Sequence, residues 1–189
     1  MNLRPLSADP TELRHAFACF PSGVVAVCGC IEDEPAGMAV SSFTSVSLDP
    51  ALVSVCVQKT SSTWPFLRDL PRLGISIFAE DQAAACRALA GRGDRFRDVG
   101  WKRTVEGAIF IDGAAAVFDC SVYQEIDAGD HVIVLLKIEA LRADRARLPL
   151  VFHHSEMGRL ANARGRTAQG LPLLLVSEGG AALFPPVCS

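Results

Sequence analysis

The sequence predicts a mainly β chain rolled into a β-barrel with peripheral α-helices. Three observations carry this: apolar, β-branched runs recur between residues 24 and 142, Pro, Gly and Asp punctuate them at short intervals, and the helical stretches between them are short. With 189 residues, 50% of them hydrophobic and 21% charged, the chain is long enough for one well-buried core.

The first element is a helix. Asp9 is placed to cap it, Pro10 suits its first turn and Glu12 lies three residues past the cap, so a helix is expected from residue 10 to about residue 20. Leu13, Ala16, Phe17 and Phe20 recur at i, i+3, i+4, i+7 and should turn one stripe to a core, leaving Arg14 and a solvated His15 elsewhere. Pro21-Ser22-Gly23 breaks the helix. Strands are expected over 24–28, 38–43 and 52–58, an antiparallel meander with turns at 32–35 and 48–50. Thr60 to Thr63 offer a cap for a short helix over 64–70, followed by a strand at 73–78, an Ala-rich helix at 82–90 and a polar loop at 91–96. Two long strands, 115–125 and 132–142, flank a turn at 127–130. After Leu160 the chain alternates a polar stretch (161–166) with an apolar one (171–176) and ends among Gly and Pro. The expected organisation is a domain over 1–160 and a C-terminal arm over 161–189, with 171–176 available to an interface.

Composition removes several function classes. A net charge of −3 and a pI near 5.8 give no footprint for nucleic acid or an anionic membrane. The N-terminal MNLRPLSADPTELRH has no apolar signal core, and no run approaches the ~18 apolar residues of a membrane helix, so a cytoplasmic protein is expected. The seven cysteines are an odd number and sit mostly in apolar runs, as small buried hydrophobes rather than a disulfide framework. No metal site is expected: Cys28-Gly-Cys30 has neither CxxC spacing nor a second pair, and His153 and His154, adjacent on a strand, should face opposite ways. GxGxxG after a strand, GxxxxGK[ST] and GxSxG are all missing, and Glu32, Asp33 and Glu34 read as a solvated turn.

What remains is a constellation of donors. The segment AGMAVSSFTSVSLDPALVSVC (36–56) places Gly37, Ser41, Ser42, Thr44, Ser45 and Ser47 around a strand, turn and strand. Hydroxyls and backbone N–H groups bind phosphate oxygens without a lysine cluster, so this set suits a flat, phosphorylated ligand. Lys59 with Ser61, Ser62 and Thr63, then Arg95-Phe96, then Gly129-Asp130-His131 add to it.

These segments resemble the flavin reductase-like family. FPSGV, GMAVSSFTSVSLDPALVSVCV, KTSSTWPFL, FAEDQ, DRF, VFDC, GDHVIVLLKIEA and PLVF occur in family order and spacing over residues 13–160. The resemblance implies an FMN-binding split β-barrel with Greek-key-like topology, typically a homodimer, that reduces FMN or FAD with NADH or NADPH. Many members supply reduced flavin to a partner flavin-dependent monooxygenase. It implies that Met38, Ala39, Val40 and Ser41 border the isoalloxazine and that Ser42, Ser45 and Ser47 meet the ring or ribityl chain. Lys59, Ser61, Ser62 and Thr63 look like the phosphate end, where an ammonium would be joined by free N–H groups at a helix start. Arg95-Phe96 is similar to the family's flavin-side Arg-Phe pair, and Gly129-Asp130-His131 to its GDH motif for the nicotinamide nucleotide, with His131 as the residue that orients it for catalysis. Three positions depart from the family pattern: Ile109 replaces a proline, Leu136 a glycine and Met157 an aromatic, which places the substrate side in question. Two other readings use the same barrel. One is a non-catalytic flavin- or haem-binding module. The other is a pyridoxamine-phosphate-oxidase-like enzyme, which would need a basic cluster where the sequence offers scattered Arg72, Arg92 and Arg103.

Overall fold

In the computed structural model the described residues are 3–5 and 9–160; the expected C-terminal arm, 171–176 included, lies outside them. In chain order the elements are α1 (Pro10–Ala18), β1 (Ser22–Gly23), β2 (Val25–Ile31), β3 (Glu34–Val40), β4 (Thr44–Leu48), β5 (Ala51–Gln58), α2 (Trp64–Leu67), β6 (Leu73–Ile77), α3 (Ala83–Ala90), β7 (Trp101–Arg103), β8 (Ile109–Ile111), β9 (Ala116–Ala128), β10 (His131–Ala143), β11 (Leu150–His153) and β12 (Glu156–Arg159). A seven-stranded antiparallel sheet in the order β3-β2-β6-β9-β10-β5-β4 forms the body, with β1-β11-β12 and β7-β8 as small sheets beside it. Three hairpins (β2-β3, β4-β5, β9-β10) are local, while β6 enters between β2 and β9 from a distance. The expected mainly β architecture with peripheral helices is what forms.

Alternation along β2 shows how the layers are built. Val25 and Val27 enter one core with Met38, Val55, Val57, Ile75, Val134 and Leu136, whereas Ala26 and Cys28 face a second core with Phe78, Cys86, Leu89, Ile109 and Leu150. The first core fills the barrel, and the second holds α3 and the β7-β8 ribbon against it. Two residues of β6 set that ribbon's distance. A Cβ on Gly74 would lie 2.0 Å from the Ile109 carbonyl oxygen, so only glycine permits the approach. Fully buried Ser76 accepts the Ile111 N–H at 3.0 Å.

Several expectations need correction. Asp9 caps α1 by accepting the Thr11 N–H at 2.8 Å, yet the helix stops at Ala18 and its stripe meets no core: Phe17 is 67% and Phe20 78% exposed. Among the described residues nothing covers that face of the nine-residue helix. The stretch 38–43 is not one strand; β3 ends at Val40 and the chain turns before β4. The helix expected over 64–70 closes at Leu67. His153 and His154 do not face apart, because His154 lies in a turn with φ of 49° and the two rings meet at 4.0 Å. The short strands β1, β7, β8, β11 and β12 carry too few alternating residues to be announced by periodicity.

Candidate functional site

The end of the barrel between β3, β5, α2 and the loop after α3 opens into a cleft of about 490 Å³. One wall is the run Met38 to Ser42, another is Cys56 to Gln58 with Thr60 to Thr63, and Arg95 and His131 lie at its edges. A second lobe of about 840 Å³ shares Thr60, Ser62, Thr63, Ala90 and Arg95 with the first and continues past Gly37, Phe66 and the loop 91–96. The structure thus brings together Met38, Ala39, Val40, Ser41, Ser42, Ser61, Ser62, Thr63, Arg95 and His131 on the first lobe, and Phe96 with Arg95 on the second.

The remaining candidates lie elsewhere. Ser45 and Ser47 are on β4 and line neither lobe. Lys59 turns toward a separate cavity and pairs with Asp127 at 2.9 Å. Gly129, with φ of 65°, forms the β9-β10 turn, and Asp130 reaches the site only through His131. Met157 sits opposite Phe152 in the β11-β12 ladder and packs against the second core. Of the other two departures, Ile109 and Leu136 are both fully buried core residues, so none of the three touches the cleft.

The hydroxyls around the cleft divide into two kinds. Ser42 Oγ accepts the Cys56 N–H at 2.8 Å and donates to the Cys56 carbonyl at 3.1 Å, continuing the ladder beyond the last β4-β5 pair on that side, Thr44 with Ser54. Ser61 Oγ accepts the N–H groups of Thr63 at 3.3 Å and Trp64 at 3.2 Å, and points its own proton at Met38 Sδ, 3.9 Å away. The expectation of free N–H groups at the start of α2 is therefore corrected, because Ser61 has taken them. Thr63 Oγ1 accepts from Arg95 Nη1 at 2.8 Å. By contrast the hydroxyls of Ser41, Thr60 and Ser62, and the N–H groups of Thr60 and Ser62, have no protein partner among the described residues.

Arg95 is the cleft's cation. Its Nε donates to Gly91 O and its Nη1 to Gly37 O, both at 2.8 Å, so the guanidinium ties the loop after α3 to β3 while no described carboxylate neutralises it. Gly37 is required at that contact, since a Cβ there would lie 2.4 Å from Cys28 Sγ and 2.9 Å from Val27 O. At the other edge, His131 Nδ1 lies 2.8 Å from Asp130 Oδ1. The hydrogen bond from His131 holds the Asp130 carboxyl below its usual range, so at neutral pH the carboxylate only accepts, Nδ1 carries the proton and Nε2 is left for a ligand. Sequence reading missed Thr60 and Gln58 on the first lobe and Phe66 and Arg92 on the second. Thr60 adjoins the KTSST motif and was within reach, whereas Phe66 looks like a core aromatic until the helix shows it on the outer face.

An ionised site free of buried carboxylates, with apolar strand backbone on one side and free hydroxyls on the other, fits a flat ring carrying a phosphate. Of the scattered arginines, Arg72 faces Asp119 and Glu139 at 3.9 and 3.7 Å and Arg103 bonds Asp33 at 2.6 Å, both away from the cleft, whereas Arg92 lines the second lobe.

Comparison with known proteins gives the same assignment. Residues 17–161 match the model of the flavin reductase like domain. The chain is 43% identical over 130 residues to the reductase component of the flavin-dependent trigonelline monooxygenase of Acinetobacter baylyi, covering 68% of this chain but only 42% of that longer protein. It is 32% identical over 173 residues to the actinorhodin polyketide dimerase of Streptomyces coelicolor, covering 88% of this chain and 98% of the relative. Among solved structures, the NADH:FAD oxidoreductase SgcE6 of Streptomyces globisporus, in complex with NAD and FAD fragments, superposes with a TM-score of 0.78 at 35% identity, over 84% of this chain and 99% of that one. The chain belongs to the flavin reductase-like domain family.

Proposed function

We propose that this protein is an NAD(P)H-dependent flavin reductase that binds FMN or FAD in the cleft and passes it reduced to a partner flavin-dependent monooxygenase. The observation that carries the proposal is the division of labour in the cleft: a wall of Met38 to Ser41 at the end of β3 suited to a ring, faced by donors of Thr60 and Ser62 that have no partner among the described residues and by the charge of Arg95, which no described carboxylate pairs. Bound flavin and nicotinamide supply the hydride chemistry between them. The chain's residues bind and position. Ser41, Thr60 and Ser62 offer hydrogen bonds, Arg95 offers its charge, and His131, its tautomer fixed by Asp130, orients the nicotinamide nucleotide. Lys59, Ser45, Ser47 and Met157 act on this site through the fold that surrounds it, and Phe96 lines its second lobe.

Two further parts of the reading rest on exposed surface and on chemistry. The uncovered Phe17 and Phe20 of α1, with Val46 and Leu48 on the edge strand β4, favour a homodimer. A cytoplasmic location follows from the need for reduced nicotinamide; no described helix is long and apolar enough to cross a membrane.

The test is anaerobic flavin absorbance after mixing the protein with FMN or FAD and then NADH or NADPH, under conditions where free flavin reacts negligibly. Rapid catalytic bleaching is the expected result. Flavin binding without bleaching would replace the proposal with a non-catalytic binding module.

A further inference from the structure

We propose that the second lobe is an adenylate subsite, which makes FAD rather than FMN the preferred flavin; this rests on the flavin reading of the first lobe. The two lobes are contiguous through Thr60, Ser62, Thr63 and Arg95, so a phosphate held at that shared wall has the second lobe directly beyond it. A mononucleotide would end at the wall and leave the lobe to water. His131 lines the first lobe and not the second, so the residue that receives the nicotinamide nucleotide is on the other side.

The lobe's own residues suit a nucleoside and a phosphate. Phe66, 64% exposed at the surface of α2, stacks on no other ring among the described residues and offers a platform for a purine. Arg92 lies in the loop between Gly91 and Gly93 and makes no ion pair or hydrogen bond among the described residues, which leaves its guanidinium for a pyrophosphate. The lobe's single carboxylate, Asp94, is already engaged, accepting the Phe96 N–H at 3.3 Å and pairing with Arg97 at 3.5 Å. Nothing in the lobe therefore opposes a second phosphate.

The experiment is equilibrium binding by titration calorimetry of FMN, FAD and AMP to the full chain, to Phe66→Ala and to Arg92→Gln, with thermal melts to show that both surface variants fold. FAD should bind at least about tenfold more tightly than FMN, and each variant should weaken FAD about five- to tenfold while changing FMN less than about twofold. AMP should compete with FAD and not with FMN. Equal affinities for the two flavins, unchanged in both variants, would overturn the adenylate subsite and leave the flavin site standing. Failure of both flavins to bind would overturn the flavin site and the subsite with it.

Discussion

Ser42 separates a residue that builds the site from one that binds in it. Its hydroxyl makes two hydrogen bonds to one backbone residue, accepting the Cys56 N–H at 2.8 Å and donating to the Cys56 carbonyl at 3.1 Å. In Ser42→Ala both backbone groups lose their partner at the edge of β5, where β4 has already ended. Each bond contributes about 1 kcal/mol net, so the loss should be about 2 kcal/mol, softened if water enters from the cleft. For a protein of this size about 2 kcal/mol corresponds to a fall in Tm of roughly 4–8 °C. Thermal unfolding measured without flavin reads this directly, and flavin affinity is then measured well below Tm. Ser42→Ala should melt early and bind flavin within about threefold of the parent, whereas Ser41→Ala, whose hydroxyl bonds none of the described residues, should keep its Tm within about 1 °C and lose flavin affinity. The reverse pattern, an unchanged Tm with flavin binding lost in Ser42→Ala, would refute the assignment of its hydroxyl to the ladder.

Four further outcomes follow from named contacts. Gly74→Ala drives a methyl against the Ile109 backbone and should cost about 3 kcal/mol or more, seen as a lower denaturant midpoint with unchanged slope. Arg95→Met removes the tie between the loop after α3 and β3, so hydrogen exchange of amides 91–96 should quicken and flavin affinity fall about tenfold or more; exchange that stays slow would show the loop holds itself. His131→Ala should raise the KM for NAD(P)H about tenfold with flavin affinity nearly constant, and Asp130→Ala should act in the same direction but add little to it, because Asp130 acts through the ring. The Asp130 carboxyl is held below its usual range, so this contribution is complete above the ordinary carboxylate pKa and is lost only as pH falls through the lowered value; the KM should show no Asp130 titration near neutrality. Burial raises the thiols of Cys86 to about 11 and Cys120 to about 12 and lifts Cys28 as well, so all three should resist alkylation in the folded state while exposed Cys19 reacts first among the described cysteines.

The barrel was legible because its long strands announce themselves. The apolar runs of β2, β5 and β10 fixed most of the sheet, and Asp9-Pro10 marked the start of α1 correctly. What periodicity could not supply was which apolar faces find a partner: the spacing of Phe17 and Phe20 is that of a core helix, and only the fold shows that the described residues leave them exposed. The same limit applies to the three family departures. Ile109, Leu136 and Met157 looked like changes at the substrate, but two are core residues and the third packs beside a core, so they alter packing behind the site.

Within the site the limit is different in kind. Sequence gives the inventory of donors but not their prior commitments, and a hydroxyl already bonded to backbone has less to offer a phosphate. Ser42, Ser61 and Thr63 appear in the motif beside Ser41 and Ser62 as chemical equals, yet the first three are engaged by Cys56 and by the N–H groups and guanidinium around α2. This division explains how a site with so few charges can be ordered before a ligand arrives. The engaged hydroxyls fix the walls, and the free ones then meet the ligand without paying again to order the backbone that carries them. Arg95 joins both roles, since one nitrogen holds Gly37 and Thr63, a second holds Gly91, and no described carboxylate pairs with its charge. A lysine at this position would keep the charge and lose the planar fork that reaches three oxygens, so Arg95→Lys should behave like Arg95→Met in loop exchange while retaining more of the flavin affinity.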